Sequence, residues 1–195
     1  MVYDAVVLAG GRGSRLGGPS KPEVVVGGRA LLDHALAAVA GAAQTVIVGP
    51  PEVARPGVLT VLEDPPDGGP VAGLAAGLAA LRAPSDLVVV LACDVPRAGA
   101  ALPGLRAAAA QVGVDGARLI SADGHPQHLV GVYRSSVLAA AVARTAPLHG
   151  AAMRMLLAGL TLVDVPDPDD AAADADTWSD VERLDAEMTA ERIDP

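Results

Sequence analysis

Most of the chemistry this sequence offers lies in one stretch near its start, Leu8-Ala9-Gly10-Gly11-Arg12-Gly13-Ser14-Arg15-Leu16-Gly17-Gly18-Pro19-Ser20-Lys21-Pro22. Five glycines, two arginines and a lysine follow directly on an apolar run at 3–7 that reads as a buried strand. Glycine tolerates positive φ and lets the backbone approach a ligand closely. A run of glycines can turn successive N–H groups toward an anion. Arg12, Arg15 and Lys21 add positive charge over the same few residues. The chemistry this suits is a polyphosphate held at the C-terminal edge of a sheet, where open α/β folds place their ligands. Lys21 is the single lysine among fourteen basic residues. Its compact ammonium reaches a phosphate as a point charge, where arginine would offer a planar fork. A solvated loop lysine is the plain alternative.

Two familiar phosphate loops do not fit. The Walker pattern requires Gly-Lys-Ser/Thr after a spaced glycine, whereas Lys21 follows Ser20 and precedes Pro22. The dinucleotide fingerprint G-x-G-x-x-G fails because the glycine after Gly11-Arg12-Gly13 arrives one position late, and Pro19 and Pro22 would break a helix running through the loop.

Other candidates sit where strands should end. Asp94, in Cys93-Asp94-Val95-Pro96, closes the strongest apolar run, where a carboxylate is ready to hold Mg²⁺ beside substrate phosphates. Read without any resemblance, a helix cap or a turn aspartate before Pro96 is the favoured account of it. Glu63-Asp64 closes another strand, and Asp64 before Pro65 could simply form the turn. Gly69-Pro70-Val71-Ala72-Gly73-Leu74 reads as a helix start whose small residues leave room for a flat base, or as an ordinary helix start with proline in its first turn. His125 and His128 flank Pro126-Gln127, a poor zinc site without further Cys, His or acidic partners. Cys93 reads as a small buried residue and not as a nucleophile.

The elements that must position these groups alternate. Strands are expected at 23–26, 45–48, 58–63, 86–92, 117–121, 129–133 and 160–165, and helices at 30–40, 71–81, 102–112, 136–144, 151–158 and 179–191, with an acidic loop at 167–176. Strands alternating with helices predict a single α/β domain over residues 1–195 with a mostly parallel sheet. No uninterrupted apolar run is long enough to span a membrane, and no basic segment precedes an apolar one as in a signal peptide. One cysteine excludes an internal disulfide and suits a reducing compartment, so a cytoplasmic setting is expected. A net charge of −9 and an aromatic content of 2% argue against broad nucleic-acid or membrane-surface binding.

Leu8-Ala9-Gly10-Gly11, then Arg15-Leu16-Gly17-Gly18 and Lys21, resemble the signature loop of the MobA-like nucleotidyltransferases. Cys93-Asp94-Val95-Pro96 and the 69–74 element resemble two more of that family's segments. The resemblance implies a Rossmann-like three-layer sandwich of the nucleotide-diphospho-sugar transferase (GT-A) type, with 1–100 mainly serving the nucleotide and 101–195 mainly the acceptor. It implies transfer of GMP from GTP to the terminal phosphate of molybdopterin with release of pyrophosphate. Cofactor-insertion proteins and apo-molybdoenzymes would then be further partners. On it, Arg15, Lys21 and Asp94 are catalytic, and Asp94 and Asp176 hold Mg²⁺ or Mn²⁺. Leu8, Ala9, Gly10, Gly11, Lys21, Asp64, Gly69 and Gly73 would contact the nucleotide, and the stretch around His128 the pterin. Related cytidylyltransferases carry Leu-Ala-Ala-Gly where this chain has Leu8-Ala9-Gly10-Gly11, which favours guanine. The family often has Asn and a Thr-Pro-Glu run where this chain has Asp174-Ala175-Asp176-Thr177-Trp178-Ser179-Asp180, and Thr177 or Ser179 could instead simply cap the last helix. The alternatives are a nucleotidyltransferase acting on another nucleotide, sugar phosphate or phospholactate, and a nucleotide-binding relative without turnover.

Overall fold

The computed structural model describes residues 1–10 and 20–193. In chain order the strands are β1 (Tyr3–Leu8), β2 (Val25–Val26), β3 (Arg29–Ala30), β4 (Thr45–Val48), β5 (Leu59–Val61), β6 (Leu87–Ala92), β7 (Gly116–Ile120), β8 (Pro126–Arg134) and β9 (Leu162–Pro166). The helices are α1 (Leu31–Ala38), α2 (Pro70–Ala80), α3 (Leu102–Ala109), α4 (Ser135–Arg144), α5 (Met153–Leu156) and α6 (Trp178–Ile193). Seven strands form one sheet in the order β5-β4-β1-β6-β8-β7-β9, and β2 and β3 form a separate hairpin. All neighbours in the large sheet are parallel except at β8, which runs against both β6 and β7.

The mostly parallel α/β architecture expected from the alternating pattern is the one observed. β6 reads as a continuous apolar run, and β1 does so apart from buried Asp4, because helices cover both faces of the sheet. Ala5, Val7, Leu87, Val89 and Leu91 face α1 and α3 in one core layer. Val6, Leu8, Val88 and Val90 face α2, α4 and α5 in the other. Gly77 lets α2 press onto the sheet, since a Cβ there would lie 2.5 Å from Val6 Cγ1. No helix among the described residues is long and apolar enough to cross a membrane.

Several boundaries moved. β5 keeps only three of the six residues expected at 58–63, as suits an edge strand with exposed Leu59. β8 begins at Pro126, earlier than expected, because an irregularity in its pairing lets it start before the apolar run. α5 shrinks to Met153–Leu156. A third apolar cluster joins Val24 and Val26 of the hairpin region, Leu31 of α1, Ala175, and Val181 and Leu184 of α6. It brings the C-terminal helix against the segment that carries Lys21.

Candidate active site

β1, β4 and β6 end on the same edge of the sheet, and a cleft of about 760 Å³ opens there. Its floor is made by Leu8, Val48 and Ala92, the last residues of those three strands. One wall is the β5–α2 connection and the first turn of α2, including Glu63, Asp67, Gly69, Pro70 and Gly73. The opposite rim carries Lys21, Asp94 and Leu129.

Lys21 opens a short 3₁₀ turn, Lys21–Glu23, anchored by buried Pro22. Asp94 lies two residues beyond β6, and its carbonyl accepts a hydrogen bond from the Ala175 amide at 2.9 Å. That bond, with fully buried Ala175, fixes the acidic loop against the tip of β6. Thr177 then caps α6: its hydroxyl and amide donate to Asp180 Oδ2 at 2.6 and 2.8 Å, and Asp180 N–H donates back to Thr177 Oγ1 at 3.2 Å. This is a reciprocal capping box. With the cap supplied by Thr177, the Asp176 carboxylate reaches Lys21 at the cleft rim without itself lining the cleft.

The outcome is a three-residue charge cluster. Lys21 Nζ donates to Asp94 Oδ2 at 2.7 Å and to Asp176 Oδ1. Burial alone would depress the Lys21 pKa, but Asp94 and Asp176 outweigh it and hold the ammonium above its ordinary value. Two carboxylates thus converge on one cationic atom at the mouth of a cleft. Mg²⁺ characteristically takes one or two carboxylates and completes its shell with phosphate and water oxygens, so this donor pair fits it. Among the described residues no group of three or more metal-ligating side chains is preassembled.

The remaining predicted residues divide. Gly11 and Arg15 lie outside the described residues. Leu8, Gly10, Gly69 and Gly73 line the cleft, and Ala9 does not. The Ala9 amide donates to Val48 O at 2.7 Å and the Leu8 carbonyl accepts from Cys93 N at 3.0 Å, so sheet-edge bonds engage both groups. Gly69 has φ +84°, a conformation that suits glycine, and it opens α2 with no side-chain cap. No N-cap side chain therefore covers the first turn of α2 at the cleft wall. Asp64 is exposed and is not among the lining residues, whereas its neighbour Glu63 is. Glu63 Oε1 also accepts from Gly68 N–H at 3.2 Å, bracing the loop. His149 lines the cleft too, brought there by the Gly150 N–H to Gly68 O bond of 2.8 Å. Nothing in the sequence marked it.

His125 is 77% exposed and pairs with Asp123 at 3.0 Å. His128 Nδ1 lies 3.4 Å from Arg118 Nη1, and burial together with that guanidinium pushes the imidazole pKa below its ordinary value. Neither histidine lines the cleft. Cys93 is buried, and burial with the adjacent Asp94 pushes its thiol up to about 12. It is therefore protonated at neutral pH and is no nucleophile.

Residues 5–165 match the family model of the MobA-like NTP transferase domain. The chain belongs to that family. The resemblance read from the N-terminal loop is thus borne out. The chain is 37% identical over 136 residues to a molybdenum cofactor guanylyltransferase of Acidiphilium cryptum, and 30% identical over 136 residues to one of a Bradyrhizobium species. Each alignment covers 66% of this chain, and it spans 65% and 64% of the respective relative. Among solved structures, molybdopterin-guanine dinucleotide biosynthesis protein A from Archaeoglobus fulgidus superposes with a TM-score of 0.74 at 24% identity, covering 96% of this chain and 100% of that one. That likeness carries the fold alone.

Proposed function

We propose that this chain transfers GMP from GTP to the terminal phosphate of molybdopterin, releasing pyrophosphate, with Mg²⁺ held by Asp94 and Asp176. The observation that carries this reading is the meeting of Lys21, Asp94 and Asp176 at the rim of the cleft. The names of the two related guanylyltransferases supply the nucleotide and the acceptor.

The attacking phosphate is already ionised near neutral pH, so the reaction asks for positioning and charge neutralisation and needs no strong base. A protonated Cys93 accords with that. When bound, Mg²⁺ (or Mn²⁺ in its place) supplies charge neutralisation on the phosphate oxygens. Lys21, released from its carboxylates, binds the departing pyrophosphate; a second charge from Arg15 is what the family resemblance implies. Leu8, Val48, Pro70 and Gly73 form an apolar slot for the base beside Gly10. Glu63 is a better-placed acid than Asp64 to accept hydrogen bonds from the nucleoside. The nucleoside then lies toward β4 and α2, and the acceptor toward β8.

The test is direct. Purified protein with Mg²⁺, GTP and molybdopterin should form the guanine dinucleotide and pyrophosphate in equal amounts, with CTP a poor substitute. Product formed from CTP in preference to GTP would move the chain to the cytidylyl type. Nucleotide binding without product, whatever the nucleotide, would refute the reading.

A further inference from the structure

The pairing of β8 contains a large irregularity beside the cleft. Arg118 of β7 pairs with Gly131, yet the next residue, Leu119, pairs with Gln127. His128, Leu129 and Val130 therefore bulge out of the β7–β8 ladder, while Val130 still pairs with Leu91 of β6. Bulges of this kind re-aim side chains and cluster near active sites. Here the middle residue, Leu129, lines the cleft on the β8 side of Asp94.

A bulge leaves backbone groups without ladder partners, and inside a sheet these must be satisfied. The hydroxyl of Tyr133, a fully buried residue, donates to the His128 carbonyl at 2.8 Å. The ring reaches that point by lying flat over two glycines. A Cβ on Gly131 would sit 2.6 Å from Tyr133 Oη, and one on cross-strand Gly116 would sit 2.7 Å from Tyr133 Cδ1. Strand glycines often mark such close approach. Tyr133, Gly131 and Gly116 thus form a brace behind the bulge, with no contact to the cleft of their own.

We infer that Tyr133 is a positioning residue: its hydroxyl holds the His128–Val130 bulge so that Leu129 forms the acceptor-side wall of the cleft. The inference rests on the reaction proposed above for its division of the cleft into nucleotide and acceptor sides. The brace itself is a matter of geometry.

Tyr133→Phe keeps the ring and removes only the donor. In this variant, amide hydrogen exchange over 127–131 should rise at least severalfold, with GTP affinity measured without acceptor unchanged within about twofold. In the dinucleotide assay, the acceptor KM should rise about tenfold, the scale of one lost hydrogen bond, while the GTP KM stays put. Gly131→Ala should give the same split by displacing the ring. Unchanged exchange in Tyr133→Phe overturns the inference, and so does a parallel fall in GTP affinity, which a merely structural role would produce. If the wild-type protein makes no dinucleotide, the reaction reading fails alone, and the exchange and GTP-binding measurements still decide the brace and its side.

Discussion

Replacing Lys21 with methionine should move three measurements in directions that no single loss of function would explain. The ammonium sits between two carboxylates, with side-chain exposures of 15% for Lys21, 27% for Asp94 and 37% for Asp176. A unit-charge pair 4 Å apart is worth about 4 kcal/mol at an effective dielectric of about 20. Desolvation of the ammonium and the partial exposure of both acids reduce the net value to about 1–2 kcal/mol. The ligand-free variant should therefore melt roughly 2–8 °C lower than wild type, at about 2–4 °C per kcal/mol for a domain of this size. Its affinity for Mn²⁺ without nucleotide, read by electron paramagnetic resonance, should rise about tenfold, because no resident cation competes for the carboxylates and about 1.4 kcal/mol is a factor of ten. Turnover with GTP should nonetheless fall about 10²–10³-fold, the cost of one lost electrostatic stabiliser. A variant that melts like wild type and binds Mn²⁺ no better would refute the argument that Lys21 holds that seat.

Asp94→Asn should cut turnover by roughly 10³-fold with little change in melting, since the amide oxygen still accepts from Lys21; near wild-type rates would remove Asp94 from the reaction. Gly77→Ala should lower stability by about 1–2 kcal/mol despite its gain in helix propensity, because the new Cβ falls 2.5 Å from Val6 Cγ1. Calorimetry showing a more stable variant would mean α2 rides higher on the sheet. Thr177→Ala should cost about 1 kcal/mol near neutral pH. The hydrogen bonds from Thr177 hold the Asp180 pKa below its ordinary value. That contribution is present above the unfolded carboxylate pKa of about 3.9 and is lost as pH falls through the folded one. The gap between wild type and variant should accordingly narrow in acid, and a gap constant from pH 7 to pH 3 would assign the cost elsewhere.

The parts of the fold that were legible are those where burial writes itself into composition. β6 lies at the centre of the sheet with both faces covered, so Leu87–Ala92 is apolar without interruption. β5 at the edge has no such signature, and it ends at Val61, two residues short of the expected Glu63. That uncertainty carries over to Glu63 and Asp64: successive residues of an extended chain face opposite ways, so an error of one position exchanges the residue in the cleft for the one in solvent. The β8 bulge left no trace in the hydropathy pattern, because it depends on one tyrosine hydroxyl and on glycines from two strands.

The charge cluster shows where single-sequence reasoning runs out. Lys21, Asp94 and Asp176 were each nominated separately, by loop composition, strand-end position and family resemblance. They are 73 and 155 positions apart for the two bonds that join them. Their contact depends on the third apolar cluster, in which Val24, Leu31, Ala175 and Leu184 seat α6 on the hairpin region. It depends as well on the Ala175–Asp94 backbone bond and on Thr177 taking over the cap of α6. Apart from Asp94, none of these residues lines the cleft. Yet loosening any of them should separate two carboxylates that must act at one point, so mutations in this remote cluster ought to lower turnover before they unfold the sheet.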